Sequence, residues 1–470
     1  MTMMQLSEAA RAVGGDLRGR DAGFEAVCAD SRALKNGDLF VALKGERFDG
    51  HDFVGHAARA GAAAALVQRE RAANLPGELP LAAVNDTTTA LGSLAAHWRA
   101  RFDLPLVAVA GSNGKTTVKE MIAGCLREHW GEAGVLAARG NLNNHIGVPL
   151  TLLGLRGEHR AAVVEVGMNH PGETAYLAGI ARPGIALINN AQREHQEFMR
   201  SVGDVAIEHG ALLVGLPPEG VAVINADDDH ADYWRGVAAG RRIRDFGLER
   251  PAAVHARYRL LALAAEIELT TPEGRASFAL QAAGRHNVRN ALAAVAAATA
   301  AGVPLDACVR ALTRFAPVRG RMQTVPGIGG ALLLDDTYNA NPDSVRAAIA
   351  VLARLPGRRL LVLGDMGEVG MNGIAYHEEV GAYARTARVD SLYALGEMAQ
   401  HAVRSFGGGA RHFTRIEDLL AAVENVLEPP VTVLVKGSRF MQMERVVKAL
   451  AANGQRRETI AAAGGVEGCC

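Results

Sequence analysis

Long apolar runs, paired cysteines and an excess of either charge are all missing from this 470-residue chain. No stretch approaches the roughly 18 apolar residues of a membrane-spanning helix. The nearest, Ala291 to Val303, is shorter and alanine-rich, so no membrane insertion is expected. Lys+Arg and Asp+Glu both total 50, which leaves no field to steer nucleic acid. The five cysteines, Cys28, Cys125, Cys308, Cys469 and Cys470, show no metal-type spacing. An odd count without a secretion signal fits a reducing cytoplasm. The start, Met1 to Gly15, reads as a short amphipathic helix without the charged-then-apolar pattern of a leader. Lysine is scarce and arginine abundant, with no lysine between Lys119 and Lys436. What is present is the 49% apolar content of a globular protein, in a chain too long for one core.

One stretch organises the rest. Leu106 to Ala110 is a buried parallel strand by its apolar, β-branched character. It breaks into Gly111-Ser112-Asn113-Gly114-Lys115-Thr116-Thr117 and resumes as a helix carrying Val118, Met121, Ile122 and Leu126 at helical spacing. Strand, glycine loop, Lys-Thr and helix make a phosphate cradle. Lys115 reaches the outer phosphates, and the Thr116 hydroxyl is a Mg²⁺ ligand. Only two residues separate the glycines, where a Walker A loop has four. Taken alone, this loop also suits a phosphotransferase or a nucleotide-regulated binding protein.

Before it, Leu39 to Leu43 reads as a strand and Asp52 to Ala60 and Thr89 to Arg101 as helices, with a short strand near Ala64 to Val67. Ser31, Arg32 and Lys44 lie in its turns, either solvated or binding a diphosphate or sugar.

After it, Asn143 sits in a polar cluster, Gly140 to Gly147, that suits a loop lining a polar site. Ala161 to Met168 is an apolar strand interrupted by Glu165. A buried carboxylate is costly unless paired or holding a metal, and the strand's C-terminal edge is where ligands bind in open α/β sheets. His195 follows another strand end, Ile185 to Ile188. Strands alternating with helices imply a mostly parallel, doubly wound sheet. Arg257 to Leu263, Glu266 to Thr270 and Ala276 to Leu280 read as a small antiparallel patch. Asn287 and Asn290, near the start of an alanine-rich helix, are caps or base-binding amides, with spacing favouring caps.

From Pro317 on, three strands end in polar loops. Leu332 to Leu334 leads to Asp336, Asn339 and Asn341, with a helix from Ser344 to Leu355. Leu360 to Leu363 leads to Gly364-Asp365-Met366-Gly367-Glu368, and Val431 to Val435 to Lys436-Gly437-Ser438-Arg439. A second α/β unit therefore presents a loop-built face. The tail beyond Gln455 is expected to be mobile, with Cys469 and Cys470 exposed.

These motifs, together with Leu39-Phe40-Val41-Ala42-Leu43-Lys44-Gly45-Glu46-Arg47-Phe48-Asp49, resemble the Mur ligase family of peptidoglycan synthesis over essentially the whole chain. The family's short Gly-x-x-Gly-Lys-Thr loop accounts for the departure from Walker A. The resemblance implies an α/β protein of three domains: residues 1–104, a small N-terminal α/β domain for a UDP-sugar; 105–316, a central P-loop ATPase with a mostly parallel sheet; and 317–470, a Rossmann-like domain for an incoming dipeptide. It implies ATP and Mg²⁺, with phosphorylation of a UDP-MurNAc-tripeptide carboxylate and attack by the amine of D-Ala-D-Ala. A monomer without nucleic-acid partners is expected.

The resemblance places Lys115 at the γ-phosphate, Thr116 and Glu165 at one Mg²⁺, and His195 at a second metal position. It sets Asn287, Asn290, Arg321 and Asp336 around the nucleotide, and Asn339, Asn341 and Lys436 on the dipeptide side. One position departs. Where the family carries a carbamylated lysine on the helix after the His195 loop, this chain has His209 beside Glu208. A carbamate cannot form there, and Mg²⁺ prefers oxygen. The expectation is that Glu208 or a water serves that metal, or that the second ion binds weakly.

Overall fold

In the computed structural model the strand Leu106–Ala110 lies inside a nine-stranded sheet and is buried on both faces. Leu106, Ala108 and Ala110 face one core; Val107 and Val109 face another. Two-sided burial is why the strand reads as an unbroken apolar run. Residues 2–46, 48–75 and 79–452 are described. Arg47 of the motif above, and the tail with Cys469 and Cys470, lie outside them.

The nine strands run, in spatial order, Gly274–Leu280, Ala265–Thr271, Val254–Leu260, Arg242–Gly247, Val221–Asn225, Ile185–Ile188, Leu106–Ala110, Ala161–Glu165 and Val135–Ala137. All neighbours are parallel from Val135–Ala137 as far as Val254–Leu260. The last two pairings are antiparallel. The expected antiparallel patch is present and continues the main sheet. Val254–Leu260 pairs in parallel with Arg242–Gly247 through Phe246 and Gly247, and so extends the main sheet. Helices Lys115–Trp130, Arg285–Ala300 and Leu305–Thr313 cover one face; Gly147–Leu152, Glu173–Ala181 and Val202–Val214 cover the other.

A five-stranded sheet precedes it, in the order Asp16–Arg18, Leu81–Val84, Ala64–Gln68, Leu39–Val41 and Val27–Cys28, parallel except for Asp16–Arg18. The strand at Leu39 stops at Val41, shorter than its apolar run, because the chain turns back to pair Lys44 with Asp49. The first helix spans Leu6–Ala12, and the helix expected from Asp52 begins as a 3₁₀ turn, Gly50–Phe53, before Val54–Arg59. This first unit shares a core with the central one. Helix Thr87–Arg99, capped by Asp86, sends Leu91, Leu94 and Trp98 into it, and Trp98 Nε1 donates to Leu155 O at 3.1 Å.

A six-stranded sheet closes the chain: Gln323–Pro326, Leu332–Asp336, Val431–Lys436, Arg358–Gly364, Ser391–Leu395 and Ala410–Phe413, parallel except for the first. Asp336 is the last residue of its strand rather than part of the loop. The helix that follows starts at Pro342 and ends at Leu352, because Asn341 caps it in a capping box with Ser344. Helices Gly373–Thr386 and Gln400–Phe406 cross closely at Gly381, where a Cβ would fall on the Ala402 carbonyl oxygen. Gly381→Ala should therefore cost about 1–3 kcal/mol, read as a lowered urea midpoint. An unchanged midpoint would mean the two helices separate freely.

Candidate active site

The parallel neighbours Leu106–Ala110, Ala161–Glu165 and Ile185–Ile188 end at one edge, and the residues beyond them meet around the glycine loop and Lys115. Gly111 and Gly114 have φ of 135° and 83°. A Cβ at Gly114 would lie 2.7 Å from Asn189 Nδ2 and Asn290 Oδ1, so only glycine lets the loop sit this low. The neighbouring loop braces it. Asn113 N donates to Asn190 Oδ1 at 2.8 Å, Ser112 N to Asn190 O at 3.0 Å, and Gln192 N to Ser112 Oγ at 2.8 Å. Thr116 and Thr117 are buried in the first turn of the helix beyond.

Asn287 and Asn290 are not caps. Gly284 holds the cap position, and the two amides continue a buried relay into the phosphate loop. Asn287 Nδ2 donates to Ala283 O, Asn290 Nδ2 to Asn287 Oδ1, and Asn189 Nδ2 to both Asn290 Oδ1 and Asn113 O. Asn189 was missed in the sequence because a strand-terminal asparagine carries no local signal. Its Oδ1 is buried and has no hydrogen-bond partner among the described residues.

Glu165 ends its strand facing the loop and is 3% exposed. Thr116 Oγ1 donates to its Oε2 at 2.9 Å, and Asn143 Nδ2 to its Oε1 at 2.7 Å. From the last unit, Arg321 Nη2 donates to Thr116 Oγ1 at 3.2 Å while its guanidinium stacks 3.9 Å from the Tyr338 ring centre. Among the described residues, no three His, Cys, Asp or Glu side chains form a ready metal cage. The hydroxyl–carboxylate pair fits a hard cation that takes its other oxygens from phosphate and water, as Mg²⁺ usually does. The glycine cradle, the helix start at Lys115 and the Lys115 ammonium fit the phosphates themselves.

Lys115 Nζ donates to Gly111 O, to Ser112 O and, at 3.2 Å, to Glu194 Oε2. Burial opposes the Glu194 charge, but Lys115, His209 and His195 together outweigh it and hold the carboxyl at about 2. His195 has φ 49°, and Glu368 of the last unit has φ 57°. His195 Nδ1 lies 2.6 Å from Glu368 Oε2, although off the hydrogen-bond direction. Glu208 is committed elsewhere. Its oxygens accept from Gly172 N and Thr174 N at the start of helix Glu173–Ala181. The expected bridge from Glu208 to a metal is therefore replaced by a helix-terminal bond.

The remaining sequence candidates fall in three places. Asn341 pairs with Asn113 across the domain boundary, donating from Nδ2 to Oδ1 at 3.0 Å. Lys436, 3% exposed, donates to Asp336 Oδ2 at 2.6 Å and to the Asn339 carbonyl at 2.8 Å, so it orders the loop after its neighbouring strand. Asp336 Oδ1 also accepts from Met322 N. Ser31, Arg32 and Lys44 stay in the first unit, on loops flanking Leu39–Val41, with Arg32 closing onto Asp30. A cleft of about 570 Å³ opens beside His195 and Glu368, lined by Gln196, Val369, Gly370 and Met398.

What joins the last unit to the loop edge is chiefly Arg193. It meets Asp343 at 2.7 Å and Glu379 at 2.6 Å, and lies over the Tyr376 ring. Arg193 and then Arg346 hold the Glu379 carboxyl below its ordinary value. A depressed carboxylate stabilises above its unfolded value, so the clasp holds at neutral pH and weakens as acid protonates Glu379.

Three family models cover the chain: "Mur ligase family, catalytic domain" at residues 24–99, "Mur ligase middle domain" at 109–298 and "Mur ligase, glutamate ligase domain" at 320–439. The UDP-N-acetylmuramoyl-tripeptide–D-alanyl-D-alanine ligase of Escherichia coli is 41% identical over 461 residues, 97% of this chain and 100% of that one. A crystal structure of MurF from Acinetobacter baumannii matches with TM-score 0.88 at 35% identity, over 94% of this chain and 97% of that one. MurF ligase from Thermotoga maritima in complex with ADP matches with TM-score 0.80 at 26% identity, over 90% and 96%.

Replacing Arg193 by Ala should open the domain arrangement, seen as a larger radius of gyration in small-angle scattering at neutral pH. An unchanged profile would mean that other contacts alone keep the units together.

Proposed function

The chain belongs to the Mur ligase family, and from that premise we propose how it works as an ATP-dependent amide-bond ligase. It adds D-alanyl-D-alanine to UDP-N-acetylmuramoyl-tripeptide through an acyl phosphate, giving the UDP-MurNAc-pentapeptide used for peptidoglycan. The observation that carries the reading is that Thr116, bonded to Glu165 beside Lys115, meets Arg321 while His195 meets Glu368, both from the last unit and at one edge.

A carboxylate resists amines because it lacks a leaving group, and phosphorylation supplies one. ATP sits with its β- and γ-phosphates over Gly111 to Thr117. Lys115 leaves its loop carbonyls for the γ-phosphate, and the Asn189, Asn287 and Asn290 relay holds the loop rigid. Thr116 and Glu165 would hold Mg²⁺, which when bound would neutralise charge growing on the transferring phosphoryl oxygens. His195 and Arg321 face the same charge from the loop and from the last unit. The tripeptide carboxylate attacks the γ-phosphorus and ADP leaves. The dipeptide amine then attacks the acyl carbon and phosphate departs, leaving an amide. We assign residues 1–104, with Ser31, Arg32 and Lys44, to the UDP-sugar, 105–316 to ATP, and 317–470 to the dipeptide. The dipeptide enters by the cleft at Glu368 and Gly370, with Asn143 near the acceptor and with Asp336, Asn339, Asn341 and Lys436 shaping the facing loops. The Arg193 clasp keeps water from the acyl phosphate. The reading is of a single chain acting in the cytoplasm. Among the described residues no helix is long and apolar enough to cross a membrane.

The test incubates the protein with ATP, Mg²⁺ and UDP-MurNAc-tripeptide, with and without D-Ala-D-Ala. Phosphate release that requires the dipeptide supports ligation; a stable phosphorylated product would make the protein a kinase instead. Lys115→Ala should lower the rate by about 100-fold to 1,000-fold with an unchanged circular-dichroism spectrum. Retained ligation would remove Lys115 from the reaction.

A further inference from the structure

Glu194 is a buried carboxylate that the assigned chemistry does not use. It is 7% exposed, and its carboxylate oxygens meet His209, Lys115 and His195. His209 Nε2 is 2.9 Å from its Oε1. Lys115 Nζ is 3.2 Å and His195 Nε2 3.8 Å from its Oε2. His209 is fully buried, and its Nδ1 has no hydrogen-bond partner among the described residues. The ring is thus tied to Glu194 through Nε2 alone. His209 therefore aims the carboxylate, and Oε2 is the oxygen left for other partners.

The phosphate-binding role of Lys115 creates a conflict at this point. When Lys115 turns to a terminal phosphate, Oε2 loses its nearest cation while an anion arrives beside it. A buried carboxylate left unpaired against a phosphate is unfavourable on both counts. A divalent cation between them removes both. The His195 ring is disposed for the same ion. Its Nε2 lies 3.8 Å from Glu194 Oε2, and its Nδ1 lies 2.6 Å from the Glu368 carboxylate.

We propose that Glu194, aimed by His209, is the carboxylate ligand of a second divalent cation, held with His195 Nε2 and completed by phosphate oxygens and water. Two protein donors with the remainder from phosphate and water match the habit of Mg²⁺. The inference rests on the ligase reading, since it needs a terminal phosphate at Lys115. Glu194 has a charge role that the neighbouring Glu208, tied to Gly172 N and Thr174 N, does not share.

The experiment counts Mn²⁺ bound to the full chain with a non-hydrolysable ATP analogue, from the free-Mn²⁺ electron paramagnetic resonance signal. Wild type should hold two ions, and Glu194→Gln one, with the analogue still bound. Glu194→Asp should keep two, with the weaker ion loosened about 10-fold to 100-fold. Two ions at unchanged affinity in Glu194→Gln, or one ion in wild type, overturns the proposal. Should Glu194→Gln fail to bind the analogue, unchanged affinity in Glu194→Asp overturns it and the stated loosening supports it. Dipeptide-dependent phosphate release by wild type is measured alongside. If release is present but the ion counts fail, only the second-cation proposal falls; if release is absent, the ligase reading falls.

Discussion

Arg193, held by Asp343 and Glu379, fastens the last unit over the loop edge of the central sheet, and the proposed chemistry needs that closure. The phosphate loop by itself can bind a nucleotide. It cannot present an amine to an acyl phosphate, nor keep that phosphate dry. Both need the strand-end loops of the six-stranded sheet to face those of the nine-stranded sheet. Arg321 at Thr116, Asn341 at Asn113 and Glu368 at His195 are the points where they do. Such a clasp is half-buried and shared among several carboxylates, so it is worth more than an exposed pair while remaining able to open.

Much of the fold was legible because burial on two faces writes itself into sequence. Leu106–Ala110, Ile185–Ile188 and Val221–Asn225 are apolar runs ending in polar residues, and each is a parallel strand whose end meets the site edge. Glu165 and Lys115 stood out for the same reason: each is a charge where the pattern is otherwise apolar or glycine-rich. Pairings between distant segments were not legible. Arg193 reads as a solvated loop charge until Asp343 and Glu379 are brought to it. Asn189 looks like a strand end, and Asn287 and Asn290 look like caps. Their relay exists only because strand, loop and helix converge. The antiparallel patch was legible, but the short parallel pairing at Phe246 and Gly247 that joins it to the main sheet was not.

The histidine at position 209 shows how a departure from a pattern can be absorbed nearby. A lysine-borne carbamate is impossible there, and the helix neighbour Glu208 is spent on a helix terminus. Glu194, six residues beyond a strand end, brings a carboxylate to His209 from the opposite loop. Charge beside the proposed phosphoryl-transfer site is thus balanced by residues from different elements. Position along the chain matters less than which loop edge a residue joins.

The central claim is that the peptide carboxylate itself takes the phosphoryl group. Its most direct test uses UDP-MurNAc-tripeptide labelled with ¹⁸O in the terminal carboxylate and follows the label through one turnover with ATP and D-Ala-D-Ala. The account predicts that one labelled oxygen leaves with the inorganic phosphate. Label retained wholly in the peptide product would contradict it.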